Sequence, residues 1–85
     1  MSDADAEFSQ AQEDVKQLSD DPGNEAKLTL YALYKQATAG DVSGKKPGML
    51  DMVGRAKYDA WSKVKGTSTD EAKQQYIAFV RSLGA

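Results

Sequence analysis

Apolar residues recur along this chain at steps of three and four, the spacing of one face of an α-helix, in four stretches divided by turn residues. Ala4, Phe8, Ala11, Val15 and Leu18 form a narrow stripe in the first stretch. Leu30, Leu33, Tyr34 and Ala37 share one side of the second. Val53, Ala56, Ala60 and Val64 form the apolar stripe of the third, and Ala72, Tyr76, Phe79, Val80 and Leu83 that of the fourth. The breaks fall at Ser19–Asn24, Gly40–Gly48 and Gly66–Ser68. Glycine there supplies positive φ, and Pro22 and Pro47 remove backbone donors. Strands would need alternation or β-branched runs, and neither is present. The spacing predicts helices over roughly 4–18, 24–39, 51–65 and 68–83, an all-α four-helix bundle in one domain spanning residues 1–85.

Local signals sharpen the ends. Ser68 followed three residues later by Glu71 predicts a capping box, in which each side chain satisfies an exposed N–H. Gly84 marks the stop of the fourth helix. Asp51 is placed to cap the third, and Asn24 or Gly23 the second.

Composition then narrows the function classes. Eighty-five residues bury only about 60–65% of their unfolded surface, enough for one modest core. With 40% apolar and 28% charged residues the chain is of ordinary globular type. A net charge of −2 lacks the basic footprint of general nucleic-acid binding, so no nucleic-acid partner is expected. There is no cysteine and no histidine, which removes disulfides, the usual zinc ligands, and both Ser-His-Asp and Cys-His catalysis. Neither a cofactor nor a metal is expected, and the protein is expected not to be an enzyme. The acidic start, MSDADAEF, lacks the basic and then apolar character of a secretory signal, and the apolar runs are too short to span a bilayer. A cytoplasmic protein without stable membrane insertion is the expectation.

Two helices carry more than a core stripe. On the second, Leu28, Tyr31, Lys35 and Thr38 occupy a further side that mixes apolar, aromatic and cationic groups. A helix apolar on two sides is either fully buried or turns one face to a ligand, and Lys35 argues against full burial because an unpaired buried ammonium is costly. On the third, Lys57 lies inside the apolar stripe, with Trp61 following it at i+4. A single lysine of this kind can snorkel over apolar neighbours, and Trp61 and Phe79 suit core packing. Two lysines, each flanked by aromatic residues, point to an anion site beside an apolar wall. Lys45 and Lys46 read as a solvated loop, and Gly44–Gly48 lacks the spacing of a phosphate loop. At this level the residues leave three readings open. They are a carrier of a partly apolar, multiply anionic ligand, a module receiving a partner helix, and a small hydrolase or transferase working through Asp, Lys or Tyr.

The segments YALYKQATAGDV and KPGMLDMVGRAKYDAWSKVKGTS resemble the acyl-CoA-binding protein family. Its pattern reads Y-x-x-Y/F-K-Q-A-T-x-G-D, then P-G-x-x-D, G-x-A-K-W/Y-x-A-W and L/V-K-G-x-S. The similarity extends to Phe8, Ala11, Val15, Lys16 and Leu18 and to Ala72, Tyr76 and Val80, so it covers essentially the whole chain. The resemblance implies a four-helix bundle of that type and a cytoplasmic carrier and pool former for medium- to long-chain fatty acyl-CoA. It also implies a monomer with transient contact with membranes or acyl-CoA-using enzymes. It implies that Tyr31, Lys35 and Lys57 grip the adenosine 3′-phosphate with Lys16 nearby, that Tyr34 lies near the adenine, that Tyr76 adjoins the ligand, and that Leu28 floors the acyl path. Lys27, Val53 and Tyr58 stand where the family often carries an apolar residue, lysine and tryptophan.

Overall fold

A computed structural model describes residues 3–84. It contains four helices, α1 (Asp3–Lys16), α2 (Asn24–Ala39), α3 (Met52–Lys63) and α4 (Thr69–Ser82). The first ends two residues before Leu18. Its last turn tightens, Gln17 N–H bonding the Asp14 carbonyl at 3.0 Å and Leu18 N–H the Val15 carbonyl at 3.5 Å. The end of α3 closes in the same i−3 manner, Val64 N–H reaching the Trp61 carbonyl and Lys65 N–H that of Ser62.

Asp51 caps α3 as its position implies, accepting from Gly54 N–H at 2.9 Å. A Cβ at Gly54 would collide with that carboxylate, so glycine is what lets the cap seat. At α4 only half of the expected capping box forms. Ser68 Oγ accepts from Glu71 N–H at 3.1 Å, whereas the Glu71 carboxylate accepts from Gln75 one turn on. The N-cap of α2 is Gly23, with no side-chain bond, and Asn24 is already helical.

The core gathers Phe8 and Ala11 of α1, Leu30, Leu33 and Ala37 of α2, and Ala72, Tyr76, Ile77 and Val80 of α4. Val15, Val64, Phe79 and Leu83 pack against its edge. Helix backbones approach closely in three pairs, α1 with α4, α4 with α2, and α2 with α3. Lys73 bonds Asp5 at 2.7 Å and Phe8 meets Tyr76 edge-on at 5.1 Å, so α1 and α4 run in the same direction. Gln36 near the end of α2 reaches Thr67 just before α4, so those two run oppositely. Extents of 38 × 30 × 15 Å describe a slab one helix pair thick.

Two expectations are corrected. The stripe Val53, Ala56, Ala60 and Val64 is not a buried face, and of the four Val64 packs against the edge of the core. None of the four is buried, Val53 is 67% exposed, and Trp61 is the buried residue of α3. The reason is positional, since among the described residues α2 is the only helix whose backbone closely approaches α3. Tyr34, grouped by spacing with the α2 core side, is 40% exposed.

Candidate ligand-binding site

Tyr31 and Lys35 lie four residues apart on α2, and Lys57 and Trp61 lie four apart on α3. One helical turn separates each pair, so both members project from the same face. Because α2 and α3 run side by side in one direction, the pairs meet in crossed register. Lys57 Nζ sits 5.3 Å from the centroid of the Tyr31 ring, and Lys35 Nζ sits 5.0 Å from that of Trp61. Each ammonium is thus attracted to a ring face on the opposite helix, worth about 0.5–1 kcal/mol at a solvated site. The outcome is two positive charges one turn apart above an aromatic base.

Trp61 is fixed from below. Its Nε1 donates to the Gly40 carbonyl at 2.8 Å, and Gly40, at φ +83°, ends α2 in a conformation that side-chained residues rarely adopt. The adjoining turn is held by Asp41, whose Oδ1 accepts from Gly66 N–H and from Gln36 Nε2, each at 2.8 Å. These bonds, the Gly66 N–H first, hold the Asp41 carboxyl below the usual carboxylate range. Gln36 also donates to the Thr67 carbonyl at 2.6 Å, and its own carbonyl oxygen is buried with no protein partner among the described residues.

A groove of about 390 Å³ opens beside Tyr31 and Lys57 and runs to the first turns of both helices. Leu28, Met52, Val53 and Ala56 supply its apolar wall, with Lys57 and Tyr31 at one end and Lys27 and Asn24 at the other. The exposed side chains of Met49 and Leu50 precede Met52 in the chain, Leu50 fully open to solvent. A larger groove of about 640 Å³ lies along the same two helices, sharing Leu28 and Ala56. Its rim mixes Glu25 and Asp59 with Lys63, whereas the smaller groove has lysines and no carboxylate in its lining. The smaller groove is therefore the better match for a ligand with apolar and anionic parts.

The seven residues singled out in the sequence do not form one cluster. Leu28, Tyr31 and Lys57 share the groove, and Lys35 joins them through Trp61. Tyr34 instead stacks on Phe8 with centroids 6.2 Å apart, and Phe8 in turn meets Tyr76. Burial raises the Tyr76 hydroxyl above its ordinary pKa, with the charge of a neighbouring ionised Tyr34 adding to the effect, so Tyr76 stays neutral. Lys16 is exposed near the end of α1, and its polar partner is Glu13 at 3.4 Å.

Residues not singled out for the site prove to position it. Arg55 donates to the Pro47 carbonyl, Tyr58 to that of Gly44, and Lys46 pairs with Asp59 at 2.9 Å, which ties the long turn to α3. Lys46 is therefore not a free loop lysine. Among the described residues no helix is long and apolar enough to cross a membrane.

Comparison with known proteins gives a consistent outcome. The family model described as Acyl CoA binding protein matches residues 5–80. The acyl-CoA-binding protein homolog of Drosophila melanogaster is 49% identical over 79 residues, 93% of this chain and 92% of that protein. The acyl-CoA-binding protein of Brassica napus is 52% identical over 77 residues, 91% of this chain and 84% of that protein. Among solved structures, acyl-CoA-binding protein 2 of Oryza sativa superposes with a TM-score of 0.90 at 45% identity, covering 94% of this chain and 89% of that one.

Proposed function

The chain belongs to the acyl-CoA-binding protein family, and from that premise we propose that it binds medium- to long-chain fatty acyl-CoA thioesters and carries them without chemical conversion. The observation that carries this reading is the crossed pairing of Lys57 over Tyr31 and Lys35 over Trp61 at one end of an apolar groove.

The chemistry of the ligand matches that layout. CoA carries several phosphate charges and needs cations held at a partly dehydrated surface. Lysine serves as a point charge where bidentate geometry is not required. In this reading Lys35 and Lys57 face the phosphates, Tyr31 adjoins them, and Lys16 adds a further cation from α1. Adenine stacks on an exposed tyrosine face, a contact worth about 1–3 kcal/mol, and Tyr34 is the candidate on exposure, with Tyr76 behind it. The acyl tail lies along Leu28, Met52 and Ala56, each methylene removed from water adding about 0.8 kcal/mol. Association and ordering losses of about 4–15 kcal/mol are set against the sum, so neither half of the ligand suffices alone. The carrier works as a monomer in the cytoplasm and hands its cargo to membranes or acyl-CoA-using enzymes on transient contact.

Calorimetric titration with palmitoyl-CoA tests the proposal. Tight one-to-one binding is expected, with free palmitate far weaker and the thioester recovered intact by mass spectrometry. Equal affinity for palmitate and palmitoyl-CoA would remove the nucleotide role of the lysines, and consumption of the thioester would make the protein an enzyme.

A further inference from the structure

The groove between α2 and α3 has an ion-paired lysine, Lys27, at its far end. Lys27 lines the groove one helical turn before Tyr31, on the same face of α2. Its Nζ contacts Asp21 Oδ2 at 2.9 Å, and the other oxygen of that carboxylate accepts from Gly23 N–H at 2.8 Å. Asp21 is thereby anchored to the backbone that begins α2, and it pairs with the ammonium at that end of the groove. The Lys27 bond, followed by that of Gly23, keeps the Asp21 carboxyl below the usual carboxylate range, so the pair is intact at neutral pH. Both side chains are more than half exposed and hydrated.

We propose that the Lys27–Asp21 pair is the terminus of the acyl groove and sets the chain length beyond which a longer acyl tail gains no affinity. This rests on the reading that the tail occupies this groove. Between Tyr31 and Lys27 a methylene exchanges water for Leu28, Met52 and Ala56, and affinity rises about fourfold for each. Past Lys27, a methylene must either displace water from two charges or remain in solvent. Stripping water from an ion pair offsets the gain from covering apolar surface. Affinity therefore climbs with chain length and then levels off.

Titrating saturated acyl-CoAs of increasing length against the wild type, Lys27→Met and Lys27→Arg reads this directly. In the wild type the affinity is expected to rise about fourfold per methylene and then flatten. Lys27→Met keeps an unbranched stem without the charge, and its rise should continue for at least two further methylenes, a gain of ten-fold or more over wild type for the longest tails. Lys27→Arg retains the cation and should level off where the wild type does. Because the readout is the increment per methylene within each variant, a general loss of affinity does not imitate it. The same levelling point in all three proteins, or no levelling in the wild type, would overturn the proposal. Failure of all three to bind any acyl-CoA would overturn the binding reading on which it rests.

Discussion

The central helix α2 has two neighbours that meet it by different physics. On one side α4 buries Ala72, Tyr76, Ile77 and Val80 against Leu30, Leu33 and Ala37, with Phe8 of α1 completing the cluster. On the other side α3 buries Trp61 alone. Directional contacts hold it instead, namely the indole N–H on Gly40, two cation–π pairs, and the bonds of Arg55, Tyr58 and Asp59 to the long turn. Burial is non-directional and uses up the apolar surface it draws on. Point contacts fix a helix while leaving its apolar side chains uncovered. The molecule thus keeps one flank closed for stability and the other open, with Leu28, Met52, Val53 and Ala56 still available to a ligand.

The contrast predicts effects of different kinds and sizes. The largest belongs to the closed flank. Phe8→Ala should cost about 3–5 kcal/mol in denaturant unfolding, since the ring is buried between Tyr34 and Tyr76. A loss under about 1 kcal/mol would show that burial is not what holds that side. On the open flank the effect should move from stability to binding. Lys57→Ala is expected to weaken palmitoyl-CoA binding by roughly 1–3 kcal/mol in calorimetry, the scale of a bond to a charged group. Its unfolding free energy should fall by no more than about 1 kcal/mol, the worth of its cation–π contact with Tyr31. An unchanged dissociation constant would remove Lys57 from the site.

The smallest effect concerns the turn beside Trp61. The folded-state pKa of Asp41 is depressed by the Gly66 N–H and the Gln36 amide, so its contribution is fully present above the unfolded carboxyl value of about 4. It is lost as pH falls from there through the folded value. Asp41→Asn keeps an acceptor oxygen without the charge. Its melting temperature should lie below that of the wild type at neutral pH, and the gap should narrow in acid. A gap that stays constant between neutral pH and pH 3 would show that the charge of Asp41 does not act.

Periodicity carries the closed flank well. Phe8, Ala11, Leu30, Leu33, Ala37, Ala72, Tyr76 and Val80 recur at helical steps and are buried, because a core stripe must face one way. Ile77, Ala32 and Gln36 escape that reading. They flank the stripes, and a slab with close neighbours on both sides of α2 buries more of a helix than one stripe. The α3 stripe misleads for the opposite reason. Spacing shows that Val53, Ala56, Ala60 and Val64 share a face, but not whether another element covers it. The two lysines were recognisable as out of place on apolar faces. Their crossed partners were not, because the pairing depends on α2 and α3 running in parallel. The clasp of Asp41, Gln36 and Thr67 joins residues up to 31 apart in sequence, and no local pattern encodes it.

The close backbone pairing of α1 with α4 has a consequence for the order in which the molecule is made. These two helices are brought together by contacts such as Asp5 with Lys73, 68 positions apart in the chain. Until α4 is available, α1 lacks the helix its backbone packs on and keeps the stacking of Phe8 on Tyr34, while α2 lacks the partner that covers Leu30 and Leu33. A nascent chain ending before Thr69 therefore emerges from the ribosome without Ala72, Tyr76, Ile77 and Val80, and its core is incomplete. The core cluster closes only when the last helix arrives, and contacts of such long sequence separation slow folding.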